Sequence, residues 1–189
     1  MKRMEESDRY NYPDLQPDSI VIDGGGYEGN WAKELWRKHR CRIFVFEPIH
    51  KFANEIAHGL EVQMTGGITV INRGLGAYQR WDGFSIQGDS SGVFGNNGPI
   101  ETVEILAIGP IIESWPEIAL LKLNVEGMEY EILEALIAQD LMPKIANLQV
   151  QFHRLPGSDH LIQEITQGLK QTHELVYHEP YCWEGWKRK

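Results

Sequence analysis

Ser19-Ile20-Val21-Ile22-Asp23 is a short β-branched run that stops at a glycine cluster, Gly24-Gly25-Gly26-Tyr27-Glu28-Gly29. An apolar run without polar alternation suits a strand buried on both faces. From Tyr27 to about His39 the period lengthens. Tyr27, Trp31, Leu35 and His39 recur every fourth position, and Ala32 and Trp36 widen the stripe into an amphipathic helix. A buried strand that turns through glycines into a helix restricts the fold sharply, because the next parallel strand must be reached by a crossover.

The rest of the first half keeps this rhythm. Arg42-Ile43-Phe44-Val45-Phe46-Glu47 predicts a second buried strand, Pro48 a helix start with the helix at about His50 to Gly59, and Ile68 to Asn72 a third strand. A β-α-β-α-β order implies a mostly parallel sheet with right-handed crossovers. Between Gly74 and Pro110 no helix is predicted. Residues 82–86 and 102–108 alternate like half-exposed strands around a loop at 87–99, so an inserted antiparallel hairpin is expected over 74–110, its tip able to cover a site. The α/β pattern then returns: a strand at Ala119–Val125, a helix at Gly127 to about Ala138, a strand at Ile145–Phe152, a helix at Asp159 to about Lys170, and closing strands at 173–177 and 181–183. Residues 1–18 are polar and contain Pro13 and Pro17, which reads as an arm before a single domain at 19–189.

Composition narrows the function. The 189 residues include 18 basic and 27 acidic side chains, a formal charge of −9. Such a chain attracts phosphate backbones poorly, so the acceptor is expected not to be nucleic acid. Arg37-Lys38-His39-Arg40 ends a helix, where cations complement the dipole, and Lys187-Arg188-Lys189 reads as a solvated tail. Two cysteines, Cys41 and Cys182, are too few for a disulfide framework or a cysteine-rich metal site, and no metal is expected. No apolar run is long enough to span a bilayer and residues 1–19 lack a signal-peptide core, so a cytoplasmic protein with no membrane partner is expected.

The glycine cluster is the strongest chemical signal. Glycine permits a sharp turn and lets a ligand approach the backbone. The helix behind it offers unpaired N–H groups. Glu47, at the end of the second strand, stands where a carboxylate can accept both hydroxyls of a ribose. Gly24, Gly26 and Gly29 fit the dinucleotide pattern G-x-G-x-x-G, while Asp23, Gly25 and Gly29 fit the D-x-G-x-x-x-G signature of S-adenosylmethionine enzymes equally well. Asp23 and the acidic chain suit a cationic ligand, although Asp23 could also cap the helix start. A nicotinamide-dependent oxidoreductase and a methyltransferase are both open on these residues.

The order VIDGGGYEGN, IFVFEPI, VINRGLGA, LLKLNVEGMEYEIL and LQVQFH resembles the FkbM family of S-adenosylmethionine-dependent methyltransferases, from about Ile20 to the closing strands. The resemblance implies the class I methyltransferase fold: a Rossmann-like α/β three-layer sandwich with a mostly parallel sheet and an antiparallel strand near the C-terminus. It implies methyl transfer from S-adenosylmethionine to a hydroxyl of a sugar or other small molecule. By this resemblance Asp23, Gly24, Gly25, Gly26, Tyr27 and Gly29 cradle the methionine part, Glu47 the ribose, and Gly74 and Leu75 lie near the adenine. Ser90 and Ser91 match a serine-containing stretch of the family.

Methyl transfer needs donor and acceptor aligned, and a hydroxyl acceptor gains roughly 10²–10⁴-fold from a general base. Asn124, Glu126, Gln151 and His153 are expected at the carboxyl ends of the fourth and fifth strands. The family usually shows acids where this chain has Asn124 and Gln151, and an amide cannot take a proton. His153 and Glu126 remain as candidate bases, with Asn124 beside them. Glu126 could instead hold the N–H groups of the following helix. If the two amides mark lost chemistry, the chain would bind cofactor without turning over.

Overall fold

A computed structural model of the chain describes residues 5–86 and 99–189. Its strands are β1 (Ile20–Gly24), β2 (Arg42–Phe46), β3 (Ile68–Ile71), β4 (Gly74–Gly76), β5 (Arg80–Ser85), β6 (Ile100–Ala107), β7 (Leu120–Leu123), β8 (Asn147–Val150), β9 (His173–Glu179) and β10 (Trp183–Arg188). Its α-helices are α1 (Asn30–His39), α2 (His50–His58), α3 (Leu60–Thr65), α4 (Ile108–Glu113), α5 (Glu129–Ala138) and α6 (Ser158–Thr172). Seven strands form one sheet in the order β3-β2-β1-β7-β8-β10-β9. The first five of that order run parallel, and β10 is antiparallel to both β8 and β9.

Sequence alternation explains the layers. Val21, Ile43, Val45 and Leu120 face α1, where they meet Trp31, Ala32 and Leu35. Ile22, Leu121, Leu123, Leu148 and Val150 face the opposite way, against α5 residues Ile132, Leu133 and Leu136 and α6 residues Ile165 and Leu169. Helices thus cover both faces, which is why the strands read as mostly apolar runs.

The order of the chain reverses between β1 and β7, since β1 has β2 on one side and β7 on the other. In an open parallel sheet such a switch point leaves a crevice at the carboxyl ends of the strands. A second, three-stranded sheet, β4-β6-β5, stands near it. The expected hairpin is β5 and β6, paired antiparallel, while β4 adds to β6 in parallel. β4 has the sequence Gly-Leu-Gly, which carries no strand signal. The glycines allow a close approach: a Cβ on Gly74 or Gly76 would lie 2.5 or 2.7 Å from the Ile105 side chain. Ser90 and Ser91 lie outside the described residues.

Helix starts shift for a local reason. α1 begins at Asn30 because Tyr27 and Gly29 take left-handed conformations, with φ of 48° and 74°. α5 begins at Glu129 because Glu126 and Gly127 do the same, at 53° and 102°. α4 falls inside a stretch with no helix signal. Its Pro110 is tolerated because a first-turn residue has no intrahelical N–H bond to lose. The segment after Ser158 is helical one residue earlier and two later than expected.

The ends of the described chain meet. Tyr12 and Leu15, in the stretch that reads as an arm, are buried against the α1 side of the sheet. The Tyr12 hydroxyl donates to Gln149 Oε1 at 2.9 Å and lies 3.5 Å from the Tyr177 hydroxyl. Lys187 and Arg188 are not a loose tail: they belong to β10, with Lys187 Nζ 2.7 Å from Asp14 and Arg188 paired to Glu117 at 2.5 Å. Trp183 and Trp186 anchor this strand by burial. The Tyr177 ring covers Gly185 so closely that a Cβ there would fall 2.2 Å from Cε1. Gly185→Ala is therefore expected to destabilise the protein by about 1–3 kcal/mol through overpacking, read as a lower urea midpoint at unchanged m-value.

Candidate active site

The crevice at the switch point is a cavity with three walls. One is the glycine turn after β1, with Gly25 and Tyr27. The second is the end of β2, with Phe46, Glu47 and Pro48. The third is the segment after β7, with Asn124, Val125, Glu126 and Met128. Gly74 and Leu75 of β4 and Phe84 of β5 close it from the second sheet.

The turn is shaped by contact with β7. Gly25 has φ +80°, and a Cβ there would sit 1.9 Å from the Asn124 carbonyl oxygen. Only glycine fits this approach. Its N–H donates to the Phe46 carbonyl at 2.9 Å. Gly26 is equally confined, since a Cβ would lie 2.3 Å from Val45 Cγ1. The turn then closes through the Gly29 N–H, which donates to the Gly26 carbonyl at 2.7 Å.

Glu47 is 5% exposed at the cavity edge. Its Oε2 accepts the Tyr27 N–H at 2.8 Å and its Oε1 accepts the Ile49 N–H at 2.9 Å. Burial raises its pKa to about 7 against the opposing pull of these two N–H bonds. Each oxygen keeps a second lone pair for a ligand. The Tyr27 ring stands edge-on to Phe52, with centroids 4.8 Å apart, which holds the side wall.

Asp23 does not line the cavity. It is wholly buried behind the turn, with Oδ1 2.7 Å from Lys122 Nζ. Reading Asp23 as part of a cradle missed this partner on β7, although the lone lysine in Leu120-Leu121-Lys122-Leu123 was a visible signal: a charge in a buried strand needs an answer.

At the other end of the cavity three side chains form one unit. His153 Nε2 is 3.2 Å from Glu126 Oε1, and Nδ1 is 3.1 Å from Glu129 Oε1. The same Glu129 oxygen accepts the His153 N–H at 2.7 Å, and Oε2 accepts the Gly127 N–H at 2.9 Å. Glu129 is fully buried and was not anticipated from sequence; its position at the first turn of α5 was the clue. Burial lowers the His153 pKa, but hydrogen bonds and charge from Glu126 and Glu129 outweigh it and raise the value to about 9. The two acids thus favour the protonated ring near neutral pH, which speaks against the general-base role expected from the sequence. His153 holds the Glu126 carboxylate, which faces the cavity. Asn124 also lines the cavity, and its Oδ1 has no hydrogen-bond partner among the described residues.

This architecture is the Rossmann-like class I methyltransferase fold. An rRNA methylase from Streptococcus thermophilus superposes with a TM-score of 0.60 at 12% identity, over 100% of this chain and 97% of that one. A precorrin-6y C5,15-methyltransferase from Geobacter metallireducens gives 0.55 at 13%, over 100% and 94%. A Streptococcus mutans structure described as a methyltransferase in complex with SAH gives 0.58 at 13%, over 100% and 99%. The sequence matches no known family profile and none of the curated proteins, so the FkbM resemblance is not matched by a family assignment.

The comparisons correct one expectation. A small-molecule acceptor with nucleic acid excluded does not stand against neighbours described as rRNA methylases or methyltransferases. The exclusion rested on net charge, which describes long-range attraction and not what a local crevice accepts. Among the described residues no helix is long and apolar enough to cross a membrane.

The histidine makes a direct prediction. Its folded pKa lies above the ordinary value of 6.5, so its stabilising contribution is complete below pH 6.5 and disappears as pH rises through about 9. NMR titration should find the His153 ring still protonated at pH 8, and His153→Gln should flatten the fall in urea stability between pH 6.5 and 9.

Proposed function

We propose that this chain is an S-adenosylmethionine-dependent methyltransferase of the cytoplasm with RNA as its acceptor. The observation that carries the reading is the cavity in which a turn too tight for any Cβ and a buried acid face the same space, at the switch point of a class I methyltransferase fold. The turn from Gly24 to Tyr27, with Gly29 closing it, fits the methionine part. Glu47 fits the two ribose hydroxyls, and Gly74 with Leu75 fits the adenine. Bound there, S-adenosylmethionine supplies a methyl group on a cationic sulfur. Asp23 is neutralised by Lys122, so the carboxylates left to face that cation are Glu47 and Glu126.

The residues at the acceptor end orient and take up a proton. Glu126, held by the His153 cation, accepts a hydrogen bond from the acceptor and receives its proton as the methyl group arrives. Asn124 offers an amide atom to the same acceptor. RNA is supported by the descriptions of the neighbours. With a net charge of −9, binding rests on local contacts, so its salt dependence should be shallower than that of a basic RNA enzyme.

Calorimetry with S-adenosylmethionine, S-adenosylhomocysteine and NAD tests the donor; binding of NAD alone would reject it. Glu47→Gln is expected to weaken S-adenosylhomocysteine binding roughly 10–100-fold, from the loss of charge-assisted hydrogen bonds. Wild-type affinity should also weaken as pH falls below about 7, because protonated Glu47 loses acceptor capacity. Methyl-labelled donor incubated with total RNA, followed by nucleoside mass spectrometry, tests the acceptor. A 2′-O-methyl ribose is the product favoured by the FkbM resemblance, and a methylated base is the other RNA outcome. Donor binding without labelled RNA would reject the acceptor class.

A further inference from the structure

Lys122 is a charged residue on the central strand β7, its side chain 4% exposed. Its ammonium lies 2.7 Å from Asp23 Oδ1, 2.7 Å from the Gly25 carbonyl oxygen and 3.2 Å from the Gly24 carbonyl oxygen. An ammonium has three protons, and these three acceptors take them all. The Trp31 ring, centred 5.7 Å away, covers the group from α1.

Strand pairing does not need this arrangement. Asp23 and Lys122 are neighbours in the parallel register of β1 and β7, a place where two apolar residues would pack without desolvation cost. The Gly24 carbonyl also accepts the Asn124 N–H at 3.0 Å, a bond between the ends of β1 and β7, so what an apolar pair could not do is hold the Gly25 carbonyl. In a trans peptide the C=O and the next N–H point in opposite directions. With the Gly24 carbonyl held by the Asn124 N–H and approached by Lys122, the Gly25 N–H points away and meets the Phe46 carbonyl. With the Gly25 carbonyl drawn to Lys122, the Gly26 N–H is likewise turned away from the lysine.

We propose that Lys122 is a positioning residue for the donor: by pinning the Gly25 carbonyl from behind, it sets the orientation of the Gly25–Gly26 peptide that the turn presents to the ligand, and Asp23 compensates its charge. This rests on the methyltransferase reading. It assigns the acid at the start of the glycine signature to the lysine and not to the ligand. It also makes the lysine, about a hundred residues further along the chain, part of the same binding unit.

The test uses the full-length protein and three variants: Lys122→Met, Asp23→Asn and the double variant Asp23→Asn/Lys122→Met. Urea midpoints report the fold, hydrogen exchange of the peptide covering residues 20–31 reports the turn, and calorimetry reports S-adenosylhomocysteine binding. Lys122→Met is expected to lower the midpoint by leaving Asp23 buried without a partner. The double variant should recover most of that loss, yet exchange faster in the turn and bind S-adenosylhomocysteine at least about tenfold more weakly than wild type. Asp23→Asn, which keeps both carbonyl bonds, should retain turn protection and bind within about threefold of wild type. The proposal is overturned if the double variant matches wild type in turn exchange and affinity, or if Asp23→Asn loses both as fully as Lys122→Met. If wild type ignores S-adenosylhomocysteine, the donor reading fails, while turn exchange still decides whether Lys122 shapes the turn.

Discussion

The approach of two backbones at Gly25 and Asn124 organises the molecule above its sheet. A Cβ on Gly25 would fall 1.9 Å from the Asn124 carbonyl, so β1 and β7 can end side by side only with glycine there. That contact puts the turn after one strand against the loop after another. The loop brings Glu126 with it, in a left-handed conformation that costs a non-glycine residue about 1–3 kcal/mol. The strain is held in place by the His153 bridge to Glu126 and by the Gly127 N–H bond to Glu129. One steric constraint thereby joins the glycine turn at one end of the cavity to Glu126 at the other.

The parallel sheet was legible because its strands are covered on both faces and their residues are mostly apolar. The glycine turn and Glu47 were legible because local spacing places them next to each other in such folds. Less legible were groups whose meaning depends on distant partners. Asp23 looks like a ligand group until Lys122 is brought beside it by strand pairing. His153 looks like a neutral base until Glu126 and Glu129 are brought beside its ring. Glu129 itself looks like an ordinary helix-start acid. In each case what the residue does was set by a neighbour 24 to 99 positions away. Helix starts at Asn30 and Glu129 were missed for a different reason: a left-handed tyrosine or glutamate leaves no mark in composition.

The acceptor was the least legible feature. Net charge sums over the whole surface, whereas the crevice is lined by one amide, two acids and mostly apolar walls. The second sheet is packed against this crevice through Leu75 and Phe84, and its glycine-rich strand β4 exists because Ile105 fills the space where side chains would be. A local rule for strands, which favours branched and aromatic residues, fails where a neighbour supplies the bulk.

Tyr12 binds Gln149 and touches Tyr177, and Asp14 meets Lys187. On the ribosome, residue 12 emerges long before its partners exist. The opening segment must therefore wait, with its tyrosine wet, until the closing hairpin has been synthesised and folded. Only then is the final seam of the molecule sewn.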